Sequence, residues 1–231
     1  MPALELFSFA ACPYAQRTRM VLAEKALDFD LVEIDLHNRP AWFREVSPYG
    51  KVPVLRHAGR IVYESAIINQ YLDEAFPAQP LMPADPWGRA VARIWMDYCD
   101  SRYLPAVQRL MAGRGDAARR AGAQEALREV LRFMEHEGLR KLGDGPYWLG
   151  PAPTLVDFHY LPFFERFAVY QELAGADWPA DCTRLRGWYE AAGQRPSFIG
   201  TRHTLDFHLA QQRQLEERRA AAAATARPAA T

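Results

Sequence analysis

Ala11–Arg17 reads ACPYAQR, and the fold turns on it. A cysteine stands where a strand-like run, ALELFSF (residues 3–9), gives way to a helix-like one, PYAQRTRMVLAEKA (residues 13–26). Pro13 has no N–H and a preset φ, which suits the first position of a helix, so Cys12 becomes the N-cap. The unpaired amides of Tyr14 and Ala15 then point at its sulfur, and Arg17 and Arg19 add positive charge nearby. Such a setting can lower a thiol from its usual ~8.5 to ~3.5–7.5. Cys12 is therefore expected to be a nucleophile rather than a small buried filler. Position 15 is alanine, so no local disulfide can close and the thiol must react with an external one.

Outward from this unit the first 76 residues alternate strand and helix. FDLVEIDL (residues 29–36) is the next strand and AWFREV (residues 41–46) a short helix. VPVLRH and RIVYE form a hairpin across AGR, and ESAIINQYLDEAF (residues 64–76) is a helix with Ile67, Ile68, Tyr71, Leu72 and Ala75 on one stripe. The strand–helix–strand opening predicts a parallel pair with a right-handed crossover, and the hairpin adds antiparallel strands to a mixed four-stranded sheet. Prolines at 77, 80, 83 and 86 mark a linker over residues 77–86. Beyond it the pattern is helical. Helices are expected at about 87–111, 116–141, 154–170, 181–193 and 205–219, with a disordered low-complexity tail over 220–231.

Two further motifs belong with Cys12. In KVPVL a cis Val52–Pro53 bond would free the Val52 backbone to pair with an extended peptide, although a trans proline opening an edge strand is the commoner arrangement. In YESAII, Glu64 and Ser65 open a helix directly after a strand. The amides and hydroxyl there could hold a carboxylate, and Glu64 an ammonium; alone, the pair would be an ordinary N-cap. A thiolate, a backbone receptor and a carboxylate pocket describe a site for a short peptide carrying a thiol. Glutathione is such a molecule.

At these residues the chain resembles the cytosolic glutathione transferases, specifically the cysteine-type omega class and its bacterial relatives. CPYAQRTRMVL, NRPAWF, SPYGKVPVL, YESAIINQYLDEAFP and LMPADP carry the resemblance through the first 86 residues, and APTLVDFHYLPFFERF continues it more loosely. It implies a thioredoxin-like α/β domain (1–76) and an all-α domain (87–219), paired as a homodimer. Cys12 would be the catalytic thiol forming a mixed disulfide with glutathione, the co-substrate. Tyr14, Arg39, Val52, Glu64 and Ser65 would bind glutathione, with Pro53 in cis. Thr154 and Asp157 would cap the central helix of the helical domain. Tyr98, Arg102, Arg166 and Phe207 are candidates for the second-substrate pocket, where a small electrophile or disulfide would sit. The implied activities are thiol transfer, dehydroascorbate reduction or deglutathionylation. Two alternatives stand beside them: a non-catalytic binding module of the stringent-starvation type, which lacks the cysteine, and a glutathione lyase or dehalogenase.

Composition narrows the remaining classes. Lys plus Arg equals Asp plus Glu, 28 each, which argues against nucleic acid or an anionic membrane as the main partner. No apolar run reaches the ~20 residues of a membrane span, and no basic segment precedes the first apolar stretch as in a secretory signal. Cys12, Cys99 and Cys182 are too dispersed for a disulfide framework, and no metal site is expected from their spacing or from the histidines. A reducing cytoplasm is the expected location.

Overall fold

The structure, a computed structural model, describes residues 4–225. Four strands form one sheet in the order β2 (Phe29–Glu33), β1 (Leu4–Ser8), β3 (Val54–His57), β4 (Arg60–Tyr63). β1 runs parallel to β2, with Leu4 opposite Phe29, and antiparallel to β3, with Leu6 opposite Leu55. β1 is central because its alternate side chains serve two cores, as the two-residue period of a strand requires. Leu4 and Leu6 face the larger core with Met20, Val21 and Leu22 of α1 (Pro13–Glu24) and Ile68 and Leu72 of α3 (Ser65–Ala75). Phe7 faces the other way, onto Ile34, Val54 and Phe43 of the short α2 (Phe43–Val46). This is the thioredoxin-like α/β layer, followed by an all-helical domain.

The linker is clamped. The buried Asp73 carboxylate accepts from the amides of Leu81 (2.6 Å) and Met82 (3.1 Å) and from Lys25 Nζ (3.0 Å). Lys25 also donates to the Gln79 carbonyl, and the Leu155 amide donates to that of Leu81. The helical half then begins at α4 (Pro86–Tyr98), passes through a π-helical turn (Cys99–Tyr103) and continues as α5 (Leu104–Gly113). α6 (Ala117–Phe133) likewise runs through a π turn (Met134–Leu139) into α7 (Arg140–Leu142). The two long helices read from sequence are thus each interrupted by a turn that hydrophobic periodicity does not reveal.

At the centre lies α8 (Leu155–Glu165), with every residue from Leu155 to Phe164 buried. Thr154 and Asp157 form its capping box. Asp157 also accepts from the Trp148 amide (2.9 Å) and Trp188 Nε1 (2.7 Å), so one carboxylate fixes the helix start, the preceding loop and a neighbouring helix. Burial pushes this carboxyl up while the Thr154, Trp148 and Trp188 donors pull it down, with burial prevailing. The single helix expected over 154–170 is in fact two. α8 stops at Glu165 and α9 (Phe167–Ala174) starts after Arg166, whose φ is −85° and ψ 1°. Pro162 has no N–H to extend the ladder, its carbonyl is taken by the Arg166 guanidinium, and the chain tightens there.

α10 (Thr183–Gly193), a short α11 (Pro196–Ile199) and α12 (Leu205–Thr225) complete the domain. The tail expected to be disordered from residue 220 is helical to Thr225, and residues 226–231 lie outside the described residues. Among the described residues no helix is long and apolar enough to cross a membrane.

Candidate functional site

Cys12 caps α1 in extended geometry (φ −79°, ψ 117°) with Pro13 at the first helical position. Its Sγ lies 3.7 Å from the Val52 carbonyl, to which the thiol donates. Arg19 secures the preceding turn by donating to Ser8 Oγ (2.6 Å) and to the Ala10 carbonyl (3.0 Å). Enclosure of the sulfur pushes the thiol above its ordinary value. The Ala15 and Tyr14 amides and the charges of Arg166 and Arg19 pull in the opposite direction. The expected lowering of the Cys12 pKa is therefore not met: its predicted causes are in place, but burial outweighs them.

The thiol stands between two clefts. One, of about 270 Å³, is lined by Tyr14, Lys51, Val52, Pro53, Glu64 and Ser65 among others. The Val52–Pro53 bond is cis. Glu64 holds φ at +69° without being glycine, a conformation that costs of order 1–3 kcal/mol and is concentrated at functional sites. Ser65 opens α3 behind it, so hydroxyl and helix amides face this cleft together. The other cleft, of about 410 Å³, has Ala11, Pro13 and Tyr14 at its floor and Phe163, Arg166 and Tyr170 on one wall. α12 supplies the opposite wall through His208, Gln212 and Leu215.

Beneath both clefts lies a buried cation. Arg17 donates through Nε to the His159 carbonyl (2.7 Å), through Nη1 to Ser65 Oγ (3.3 Å) and through Nη2 to Asp100 (2.9 Å). Its guanidinium also lies 4.6 Å from the centre of the Phe163 ring. His159 Nε2 meets the second oxygen of Asp100 at 3.1 Å. Burial would raise the Asp100 carboxyl, but the His159 hydrogen bond and the Arg17 charge together hold it at about 2. Burial, seconded by Arg17, pushes the His159 imidazole down to about 4. The ligand atoms of Cys99, Asp100 and His159 fall within 4.8 Å of one another, a grouping the sequence reading did not foresee. Arg17, 3.6 Å from Cys99 Sγ as well, already supplies the positive charge a metal would bring.

Cys12, Tyr14, Val52, Pro53, Glu64 and Ser65 thus come together, and Arg166 reaches the floor of the second cleft. Other candidates do not arrive. Arg39 is exposed, with its guanidinium near Gly50 and outside the lining of either cleft. Tyr98 stacks on Phe133 (5.0 Å between ring centres), Arg102 points to solvent, and Phe207 stacks on His203 (4.0 Å) while its neighbour His208 faces the cleft. Lys51, Tyr63 and Arg17 were missed as contact residues. Lys51 precedes Val52 in a motif already singled out, whereas the reach of Arg17 to Ser65 has no signal in one dimension.

Residues 6–80 match the model of the glutathione S-transferase N-terminal domain, and residues 117–191 that of the C-terminal domain. The chain is 34% identical to "Glutathione S-transferase U24" of Arabidopsis thaliana, covering 83% of this chain and 86% of that protein. It is 35% identical to "Glutathione S-transferase omega-1" of Sus scrofa over 71% of this chain and 66% of that one. The solved structure of rice GST1 in complex with glutathione matches with a TM-score of 0.80 at 33% identity, over 92% of this chain and 97% of that one. Omega relatives are thus accompanied by others, and likeness does not single out the omega class or a bacterial source. With the thioredoxin-like half, the helical half and the join between them all matched at this identity, the chain belongs to the glutathione S-transferase family.

Proposed function

We propose that this transferase works through Cys12 as a glutathione-dependent thiol transferase of omega type. The observation that carries this reading is the position of Sγ, at a helix N-terminus between a polar cleft and an apolar one. Glutathione would lie in the smaller cleft. Its γ-glutamyl carboxylate would meet Ser65 and the α3 amides, with Glu64 toward its ammonium group. Its cysteinyl backbone would pair with Val52, and Lys51, rather than Arg39, is placed for the glycyl carboxylate. The Cys12 thiolate attacks the glutathionyl sulfur of a mixed disulfide. The Cys12–glutathione bond forms, the substrate's S–S bond breaks, and the substrate leaves as a thiolate that takes a proton. A second glutathione then releases Cys12 as oxidised glutathione departs.

A free thiol of this kind persists in a reducing cytoplasm. A homodimer is part of the same reading. Ile67 on α3 and Trp87 and Ile94 on α4 are 54%, 70% and 62% exposed, on two helices joined by the Arg93–Gln70 hydrogen bond. Light scattering on Ile94→Glu, expected to halve the mass, tests it.

Intact mass after incubation with oxidised glutathione tests the chemistry. One glutathione is expected on the wild type and none on Cys12→Ala. A folded wild type without an adduct, or a variant that keeps one, overturns the reading.

A further inference from the structure

Resting on the reading of the larger cleft as the second-substrate site, we propose that this cleft selects an aromatic substrate bearing a carboxylate, held by Arg166. The walls are those of an aromatic site: Phe9, Tyr14, Phe163 and Tyr170, with Val107 and Leu215. Among the described residues lining it there is no aspartate or glutamate, and Arg166 is the one side chain of permanent charge.

The partners of Arg166 make that charge significant. Its guanidinium donates to Gln16 Oε1 (3.1 Å), to the Pro162 carbonyl and to the Ala11 carbonyl (3.0 Å). All three acceptors are neutral, and among the described residues no carboxylate stands at ion-pair distance. The adjacent Glu165 is committed elsewhere. One of its oxygens takes the His203 amide (2.9 Å) and His208 Nε2, the other Gln16 Nε2. Arginine cannot shed its proton, so an enclosed guanidinium without an anion carries a desolvation cost that only an incoming anion relieves. Three neutral bonds fix the fork and leave donors over, and a planar carboxylate matches that geometry better than any neutral group. Burial lowers the affinity of Arg166 for its proton, in line with a cation short of counter-charge.

The reacting compound would be a mixed disulfide of glutathione with an aryl thiol acid. Cys12 takes the glutathionyl sulfur, and the aryl thiolate leaves with the bond's electron pair and takes a proton from solvent.

Two unreactive thioethers, S-(4-carboxybenzyl)glutathione and S-(4-carbamoylbenzyl)glutathione, separate charge from shape. Titration calorimetry at pH 7 should give the carboxylate at least ~10-fold tighter binding to the wild type, and Arg166→Gln should erase that ratio. Because a ratio is read, any general loss of affinity in the variant cancels. Equal affinities in the wild type overturn the proposal while leaving glutathione binding intact, and this needs no variant to fold. A preference that survives in Arg166→Gln overturns it as well, since another group would be responsible. Failure of both compounds to bind removes the glutathione site and this inference together. The Cys12 adduct is measured separately and distinguishes the two failures.

Discussion

Replacing His159 by glutamine should remove a specific part of the protein's sensitivity to acid. The imidazole is buried, hydrogen-bonded to Asp100 and beside the Arg17 guanidinium. A proton there would add a second positive charge to a cluster that holds one carboxylate. Its pKa is accordingly about 4, whereas in the unfolded chain it lies near ~6.5. The folded value is the depressed one, so this contribution to stability is complete above pH ~6.5 and is lost as the pH falls toward the folded value. Linkage over that gap amounts to roughly 3 kcal/mol in the limit, and to about 2 kcal/mol between pH 7 and pH 4.5. Glutamine can donate to Asp100 as the imidazole does, keeps the backbone carbonyl for Arg17, and does not titrate. Asp100 itself titrates lower, at about 2, below this window. Urea unfolding at fixed protein concentration, at both pH values, should show the wild type losing about 2 kcal/mol more than His159→Gln. Any general destabilisation by the substitution drops out of that difference. Equal losses in the two proteins would refute a neutral imidazole held between Asp100 and Arg17.

Asp157→Ala leaves the Trp148 and Thr154 amides and the Trp188 indole without their acceptor; at ~1–3 kcal/mol each, the cost should be roughly 4 kcal/mol, a fall in Tm of about 8–16 °C. A calorimetric scan showing less than 3 °C would contradict the capping role. Iodoacetamide on the native protein should label Cys12 alone, with Cys99 and Cys182 yielding only in denaturant, because both are fully buried and burial raises their thiols, that of Cys182 to about 12. The Cys12 rate should still be climbing above pH ~8.5, since enclosure raises that thiol too; a plateau near pH 7 would mean that the helix amides win in solution. Arg17→Lys, which loses the fork joining Ser65 to Asp100, should raise the KM for glutathione about fivefold with a much smaller change in the Cys12 alkylation rate. Parallel changes in both would place Arg17 in the support of α1 as a whole.

Much of this was legible in the chain because its signals are local. A Cys-Pro pair at a strand–helix junction, an alternating run at residues 3–9 and a glutamate–serine pair opening a helix each report their own backbone. The cleft between the domains was less legible, because a helix read in one dimension has no assigned outward face. Tyr98 and Arg102 follow α4 into a π turn that shifts the phase of what comes after, and Tyr98 meets Phe133 instead of the cleft. At α12 the same uncertainty placed Phe207 where His208 stands. Arg17 was read as a charge acting on Cys12, but five positions along α1 its side chain turns beneath the site to Ser65 and Asp100. The split at Arg166 depends on where its own guanidinium docks, which is a tertiary fact.

The clamp on the linker sets a rule for exchanging halves between relatives. Residues 77–85 look like a hinge in the sequence, yet Asp73 and Lys25 from the first domain and Leu155 from the second all grip the same few peptide groups. The segment is therefore a shared part of both domains, not a tether between two independent ones. A chimera cut at the prolines would inherit the grip from one parent and the gripped chain from the other. Its success should follow the compatibility of positions 25, 73, 81 and 155 more closely than overall identity. The same rivet denies the two clefts a means of opening by domain rotation, so access to Cys12 is left to side chains and to α12.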